Sequence, residues 1–142
     1  MKIAILSCFY PYRGGISQFN ACLYDELRKE HVVRAFNFKR QYPEFLFPGK
    51  TQFVTEDDEA VPVESTSLLD TANPFTYIST YRAIRDWEPD VLIVRYWMSY
   101  FGPSLGYITR RMKKHCKVIS ILDNVIPHEP HFFDEPLTKY FL

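Results

Sequence analysis

The 142-residue sequence predicts an α/β fold with a doubly wound, Rossmann-like parallel sheet, on three observations. Short apolar runs alternate with amphipathic segments along the chain, as strands alternate with crossover helices. The apolar runs are unbroken, which is typical of strands that are covered on both faces. A glycine turn, Gly14-Gly15, joins the first run to a helix, at the kind of junction where open α/β sheets bind ligands.

The first elements follow from their apolar residues. The predicted spans are 2–8 for a strand, 16–29 for a helix and 31–38 for a second strand. Within the helix, Phe19, Leu23 and Leu27 recur at every fourth position. This spacing predicts that the three side chains face the sheet.

Residues 39–72 show no clear period, because prolines, a glycine and an acidic run at 56–59 interrupt them. The segments 53–54 and 60–63 are predicted as short strands of a hairpin or a meander. The acidic run is predicted to be a solvated turn, since consecutive like charges repel one another and prefer water.

A capping residue and a proline mark the start of the next helix. Asn73 can accept a hydrogen bond from a free backbone N–H group, and Pro74 suits the first helical turn. The predicted apolar stripe of this helix is Phe75, Ile78, Tyr81 and Ile84.

Two further strands and two helices complete the predicted sheet. The predicted spans are 91–94 and 117–122 for strands, 103–115 for a helix and a start at 135–136 for the last helix. In the helix over 103–115, the spacing predicts that Leu105, Ile108 and Met112 face the core. In the last helix, Leu137, Phe141 and Leu142 have no evident partners, so we expect the chain to be part of a longer protein.

The composition argues against several classes of protein. The 17 basic and 17 acidic side chains balance, so no overall field attracts nucleic acid and no nucleic-acid partner is expected. Cys8, Cys22 and Cys116 lack metal-site spacing and fit reduced core thiols of a cytoplasmic protein. Met1 leads directly into a strand, so no signal peptide is predicted, and no apolar run reaches the ~18 residues of a membrane span.

The turn at Gly14-Gly15 is the first candidate for binding. Without Cβ atoms, the glycines let a ligand approach the backbone, and the helix start behind them offers N–H groups to an anion. A tight strand–helix turn with no ligand is the alternative. A dinucleotide site is disfavoured, because the G-x-G-x-x-G pattern is missing and the second strand ends in Asn37-Phe38-Lys39 rather than in an acid.

The loop after the last predicted strand collects polar side chains at the carboxyl edge of the sheet. They are Asp123, His128, Glu129 and His131. A carboxylate or an oriented imidazole can stabilise positive charge that develops during a reaction. No metal site is expected, because two histidines three residues apart in a proline-flanked loop fit metal-ligand spacing poorly. The alternative for each side chain is a capping role within the loop.

Two motifs resemble those of a known family. The stretch 10–20, with Pro11 and Gly14-Gly15-Ile16, is similar to the P-x-x-G-G-I start of GT-B glycosyltransferases of the group 1 (family 4) type. The stretch 123–129 looks like the x-N-x-x-P-H-E segment of a bacterial subset of this family, and 40–51 also resembles that subset.

The resemblance implies a sugar transferase made of two Rossmann-like halves, with the active site in the cleft between them. Residues 1–142 would be the N-terminal, acceptor-side half, and the donor-binding C-terminal domain is absent from this chain. A nucleotide-sugar donor would be a co-substrate held mainly by that second half, with no cofactor or metal ion in this one. The implied reaction retains the anomeric configuration and belongs to cell-surface polysaccharide or glycolipid synthesis.

The resemblance and the strand ends together suggest the site residues. The expected substrate-binding residues are Gly14, Gly15, Arg95, Tyr96, Trp97, Asn124 and Glu129. Arg95 would hold an anionic acceptor group or pair with a carboxylate. Tyr96 and Trp97 would stack on a sugar face or else form an aromatic cap over the sheet.

The catalytic residues depend on a departure from the family pattern. Many members place a histidine in contact with the transferred sugar at the end of the strand equivalent to 117–122. This chain has Asp123 there, with His128 five residues later. Either Asp123 makes the contact or His128 folds back toward the cleft, so both are candidate catalytic residues.

A basic cluster on the helix over 103–115 has two interpretations. Its members are Arg110, Arg111, Lys113 and Lys114. They stabilise the negative end of the helix, or they bind anionic lipid headgroups at a membrane surface, as a lipid-linked acceptor would require. The alternatives to a transferase are a non-enzymatic binding domain of flavodoxin-like topology and a nucleotide-dependent oxidoreductase.

Overall fold

A computed structural model describes residues 1–46 and 51–142 and has the predicted α/β architecture. The strands are β1 (Lys2–Leu6), β2 (Val32–Arg40), β3 (Ser65–Asp70), β4 (Val91–Tyr96) and β5 (Lys117–Leu122). The helices are α1 (Gly15–Leu27), α2 (Pro74–Asp86), α3 (Gly102–Met112) and α4 (Asp134–Phe141), with short 3₁₀ helices at Glu44–Leu46 and Ser99–Phe101. The motif residues 47–50 lie outside the described residues.

The five strands form one sheet in the order β3-β2-β1-β4-β5, and every pairing is parallel. This is the Rossmann order, and it differs from the flavodoxin-like order 2-1-3-4-5. The direction of winding reverses between β1 and β4. The loops that follow these two strands therefore border the crevice where sheets of this type bind ligands.

Helices cover both faces of the sheet, as a doubly wound fold requires. Helix α1 packs on one face, where Ile3, Ile5 and Ile93 form the core with Ala21. Helices α2, α3 and α4 cover the other face. The inward residues predicted for α3 are confirmed, because Leu105, Ile108 and Met112 are fully buried. Each such side chain contributes about 1.5–3 kcal/mol of transfer free energy.

The predicted inward face of α1 is correct for Leu23 and Leu27, which pack against the core, but not for Phe19. Phe19 is 49% exposed and Cys22 is exposed rather than in the core, and the buried residues of the helix are Ser17, Asn20 and Ala21. The outward position of Phe19 follows from polar contacts that outweigh the apolar periodicity at this end of the helix. The Asn20 amide is needed inside the fold, where it donates hydrogen bonds to groups at the end of β1.

The irregular segment contains a strand that the prediction missed. Strand β3 pairs with β2, and the predicted hairpin strands at 53–54 and 60–63 are wrong. Phe53 makes only an isolated antiparallel bridge with Tyr12. The acidic run does form a turn, in which Asp58 pairs with Arg13 at 3.1 Å.

The start of α2 is as predicted, since the Asn73 side chain accepts a hydrogen bond from Phe75 N at 3.1 Å. The predicted apolar stripe is only partly correct. Phe75 is 81% exposed, because it lies in the first turn, before the helix packs on the sheet, whereas Ile84 is fully buried.

Helix α4 has a partner that the prediction did not find. Phe141 stacks on Tyr96 with ring centres 4.4 Å apart. Two glycines of α3 allow this close packing: a Cβ atom at Gly102 would lie 2.4 Å from Leu137 O, and one at Gly106 would lie 2.7 Å from the Tyr140 ring. Glycine is thus required at Gly102, where the obstacle is backbone.

Candidate functional site

The carboxyl edge of the sheet carries two groups of side chains, one on each face. Side chains alternate along a strand, so Arg95 and Asp123 lie on the α1 face, and Tyr96 points to the α4 face. We name the first group, Phe19, Asn20, Arg95 and Asp123, the Arg95 cluster. The second group surrounds a concave space that we name the aromatic cavity.

Arg95 is held on three sides within the Arg95 cluster. Its Nε and Nη2 atoms donate to Oδ2 and Oδ1 of Asp123, both at 2.5 Å. Its guanidinium carbon lies 4.3 Å from the centre of the Phe19 ring, a cation–π contact that explains why this aromatic side chain stays near the surface. Arg95 is only 8% exposed. It therefore pairs with a carboxylate, the second of its two predicted roles.

Asn20 is the member of the cluster that the sequence analysis missed. It is 1% exposed, and its Nδ2 donates to Ser7 Oγ and to Cys8 O, each at 2.8 Å. Its Oδ1 accepts a longer bond from Arg95 Nη1 at 3.4 Å. A polar residue flanked by apolar ones in the helix after a glycine turn was the available signal.

Asp123 remains accessible at the edge despite its ion pair. Its side chain is 26% exposed, and its backbone N–H donates to Tyr96 O at 3.0 Å. The cluster thus presents one carboxylate in a fixed orientation, with lone pairs left for a further hydrogen bond.

The glycine turn lies on the same edge of the sheet. Gly15 begins α1 one turn before Phe19, and both glycines are exposed, with no atom within 4 Å of a Cβ position. Gly14 has φ +109°, a conformation that favours glycine. No side chain caps this helix start. A ligand could therefore approach its N–H groups from solvent.

The segment 52–54 lies against the glycine turn and narrows the approach to it. Arg13 N donates to Gln52 O at 3.0 Å, and Val54 N donates to Pro11 O at 2.8 Å. The cavity left beside Gly14 is only about 20 Å³. The turn is thus an anion-accessible surface rather than a deep site.

The aromatic cavity, about 350 Å³, lies between the loop after β4 and the start of α4. Its apolar wall includes Tyr42, Trp97, Met98, Tyr100 and Phe133, and its polar groups include Asn124, Glu129, His131 and Asp134. Three of the predicted binding residues, Trp97, Asn124 and Glu129, therefore share one cavity. Asn124 and Glu129 make no hydrogen bond with another side chain in the part of the chain that the structure describes.

Asp134 is the buried acid of the cavity. Its Oδ1 accepts a hydrogen bond from Ser99 Oγ, and its Oδ2 accepts one from His131 N at 2.5 Å. The His131 ring lies beside it, with Nδ1 3.4 Å from Oδ2. Burial by itself would raise the pKa of Asp134, but these bonds and the nearby imidazole outweigh it and lower the pKa below its usual value.

Tyr96 does not line the cavity. It is fully buried, its hydroxyl lies 2.7 Å from Thr138 Oγ1, and its ring stacks on Phe141. The predicted stacking of Tyr96 on a sugar does not fit this arrangement, because no face of the ring is accessible. Its role is the alternative one, an aromatic cap over the end of the sheet.

His128 is separate from both groups. Its side chain is exposed, it is not among the residues that line the aromatic cavity, and it has no hydrogen bond or ion pair with any described residue. Of the two candidate catalytic residues, only Asp123 is held at the sheet edge. Over residues 1–46 and 51–142, no three His, Cys, Asp or Glu side chains come together as potential metal ligands.

The basic cluster lies at the opposite end of the sheet. Helix α3 begins at the carboxyl edge and runs for 11 residues, about 16 Å at 1.5 Å per residue. Arg110 and Arg111 lie over the rings of Tyr140 and Tyr107, at 4.3 and 3.6 Å. No helix in the described ranges is both long and apolar enough to cross a bilayer.

The two groups at the carboxyl edge define what the chain can do chemically. The Arg95 cluster fixes a carboxylate, and the aromatic cavity offers a concave surface with free polar groups. No protein-family model matches the chain, and no curated protein matches its sequence.

Proposed function

We propose that the chain is the N-terminal, acceptor-side domain of a retaining, nucleotide-sugar-dependent GT-B glycosyltransferase of cell-surface polysaccharide or glycolipid synthesis. The observation that carries this proposal is the aromatic cavity beside the crossover point of a Rossmann-type sheet. The motif resemblance at 10–20 and 123–129 supports the family, and the cavity supports the acceptor role.

The cavity suits a saccharide better than a purely apolar ligand. Aromatic rings pack against the C–H groups of a sugar ring, and amide and carboxylate groups exchange hydrogen bonds with its hydroxyls. Trp97 supplies a ring fixed by Phe38 and Phe101. Asn124 and Glu129 supply polar groups that have no competing side-chain partner in the described chain.

The Arg95 cluster suits the reacting end of the acceptor. In the transfer, an acceptor hydroxyl forms a bond to the anomeric carbon of the donor sugar as the bond to the nucleoside diphosphate breaks. Positive charge develops on the sugar ring, and a fixed carboxylate stabilises it. Asp123 supplies this carboxylate, and Arg95 and Asn20 act as positioning residues that hold its orientation.

The glycine turn suits the anionic part of the donor. The exposed start of α1 would face the donor phosphates across the cleft, and a second domain would hold the nucleotide. Transfer needs groups from both halves. The 142-residue chain alone should therefore bind acceptor sugars and transfer none.

A binding experiment tests the acceptor role. The chain has two tryptophans, and Trp87 packs on Phe36 and Lys2, away from the cavity. In a Trp87→Phe variant, Trp97 reports cavity occupancy by fluorescence. We expect methyl glycosides to change its emission with dissociation constants on the order of 1 mM, about −4 kcal/mol, and Asn124→Ala to weaken the binding.

A transfer assay tests the half-site role. The chain is incubated with uridine, guanosine and thymidine diphosphate sugars and with any saccharide that binds, and nucleoside diphosphate release is measured. We expect none above the blank. Robust turnover by this chain would contradict the half-site proposal, and the absence of saccharide binding would contradict the acceptor role and favour a binding domain for another ligand.

A further inference from the structure

We propose that the aromatic cavity selects an acceptor sugar that carries a protonated amine. This inference rests on the proposed acceptor role and adds the chemical class of the sugar. It follows from the charges that line the cavity, from its aromatic wall and from the pairing of the surrounding cations.

The lining of the cavity is acidic. The described residues that line it include Glu129 and Asp134, and none of them is a lysine or an arginine. The two oxygens of Asp134 already accept hydrogen bonds from Ser99 and His131, so this residue acts on a ligand through its charge. Glu129 is exposed at the cavity rim and has no ion-pair partner among the described residues, so its carboxylate is available for a direct contact.

The cations on the flanking elements do not neutralise these charges. Lys139 of α4 pairs with Glu135 at 2.5 Å, and Arg95 of β4 pairs with Asp123 at 2.5 Å. Arg40, at the end of β2, forms a two-pronged pair with Asp70. The cavity therefore keeps a negative field, apart from the His131 imidazole at its edge.

The aromatic wall favours the same ligand charge. The faces of tryptophan and tyrosine rings attract cations through their quadrupole, and Tyr42, Trp97 and Tyr100 line one side of the cavity. A phosphorylated or uronic acid acceptor would meet two carboxylates, with no lysine or arginine to compensate them among the described lining residues. An ammonium group would satisfy both the carboxylate and the aromatic face.

Three sugars that share the same ring and differ in charge (positive, neutral and negative) test this inference. Methyl glycosides of glucosamine, glucose and glucuronic acid are titrated into the Trp87→Phe chain, at a pH where the amine is protonated. We expect the glucosamine derivative to bind at least about fivefold more tightly than the glucose derivative, as exposed cation–π and ion-pair contacts allow. The glucuronic acid derivative should bind most weakly.

Two variants assign the effect to the cavity. Glu129→Gln removes the charge but keeps the size of the side chain, so it should abolish the preference for the amine and make the glucosamine and glucose derivatives bind equally. Glu30→Gln is the matched control, because Glu30 is exposed, lies just after α1 and is not among the residues that line this cavity. It should keep the preference.

The outcomes separate this inference from the acceptor role. Equal binding of the three sugars, or tightest binding of the uronic acid, overturns the charge selection and leaves the acceptor role standing. Loss of the preference in both variants overturns the assignment to Glu129. If none of the three sugars changes the Trp97 emission, the acceptor role of the cavity fails as well.

Discussion

The Arg95 cluster and the aromatic cavity lie at one edge of the sheet, but they differ in whether their polar side chains are paired with one another. In the cluster, the guanidinium, the carboxylate and the buried amide satisfy one another. In the cavity, the Asn124 amide and the Glu129 carboxylate make no hydrogen bond with a side chain of the described residues. Paired polar groups stabilise a fold, and unpaired polar groups in a concave site are available to a ligand. The comparison therefore indicates that the pairing in the Arg95 cluster stabilises the fold and fixes the Asp123 carboxylate, whereas the polar groups of the cavity contribute little to stability.

Removal of the Arg95 guanidinium should have the largest effect on stability. Arg95→Ala leaves the partly buried Asp123 carboxylate and the buried Asn20 carbonyl without a partner, which should cost about 3 kcal/mol of unfolding free energy. Urea denaturation measures this loss of unfolding free energy. Arg40→Ala is the matched control, because Arg40 makes the same two-pronged contact with Asp70 while half exposed. It should change stability less, since Asp70 Oδ1 keeps a hydrogen bond from Ala72 N at 3.0 Å. Equal losses in the two variants would contradict the comparison.

Two asparagines offer the next largest contrast. Asn20→Ala removes the donor to buried Ser7 Oγ and Cys8 O and should cost about 2 kcal/mol, whereas Asn124→Ala should change the unfolding free energy by less than about 0.5 kcal/mol.

Thiol labelling gives a second readout of the role of Asn20. Burial raises the pKa of Cys8 to about 12, so in the native chain the exposed Cys22 should react well before Cys8. Asn20→Ala should speed the labelling of Cys8, and an unchanged rate would argue against its role in closing the cluster.

A smaller effect should depend on pH. The pKa of Asp134 is lower in the folded chain than its usual value, so the folded state holds fewer protons there than the unfolded state. The resulting stability is present above about pH 4 and is lost as the pH falls through the folded pKa. Asp134→Asn should therefore cost about 1 kcal/mol at neutral pH and progressively less in acid.

The control for this pH dependence lines the same cavity. Glu129→Gln removes a carboxylate that makes no ion pair with a described residue, and this variant should still lose the stability that Asp134 contributes as the pH falls. A difference between wild type and Asp134→Asn that stays constant from pH 7 into acid would show that the Asp134 bonds do not depend on its charge.

Elements with a continuous or periodic apolar pattern could be predicted from the sequence, because the pattern is a property of the residues themselves. This holds even for β5, an edge strand that is mostly exposed. Strand β5 was placed at 117–122 with the bounds that the structure has, and the buried face of α3 was found from its spacing. Strand β3 was missed. Its sequence Ser65–Asp70 has only two apolar residues, and its pairing is set by contact with β2, across a long irregular connection.

The loops that form the site could be predicted from the sequence, but the contacts between their side chains could not. Arg95 lies opposite Ile121 in the β4–β5 register, and Asp123 follows two residues later on the same face. Their pairing depends on this register, which periodicity does not determine. The orientation of Phe19 was wrong for a related reason, since its position follows from Arg95, 76 residues away in sequence.

The spacing of Gly102 and Gly106 has a consequence for comparisons among related sequences. These glycines let α4 lie against α3 within the volume that a side chain would occupy, and α4 carries the acid of the cavity. The geometry of the binding surface thus depends on two residues that no ligand can touch. In a family of such chains, residue size at these positions should covary with positions 137 and 140, even where the residues that line the cavity differ.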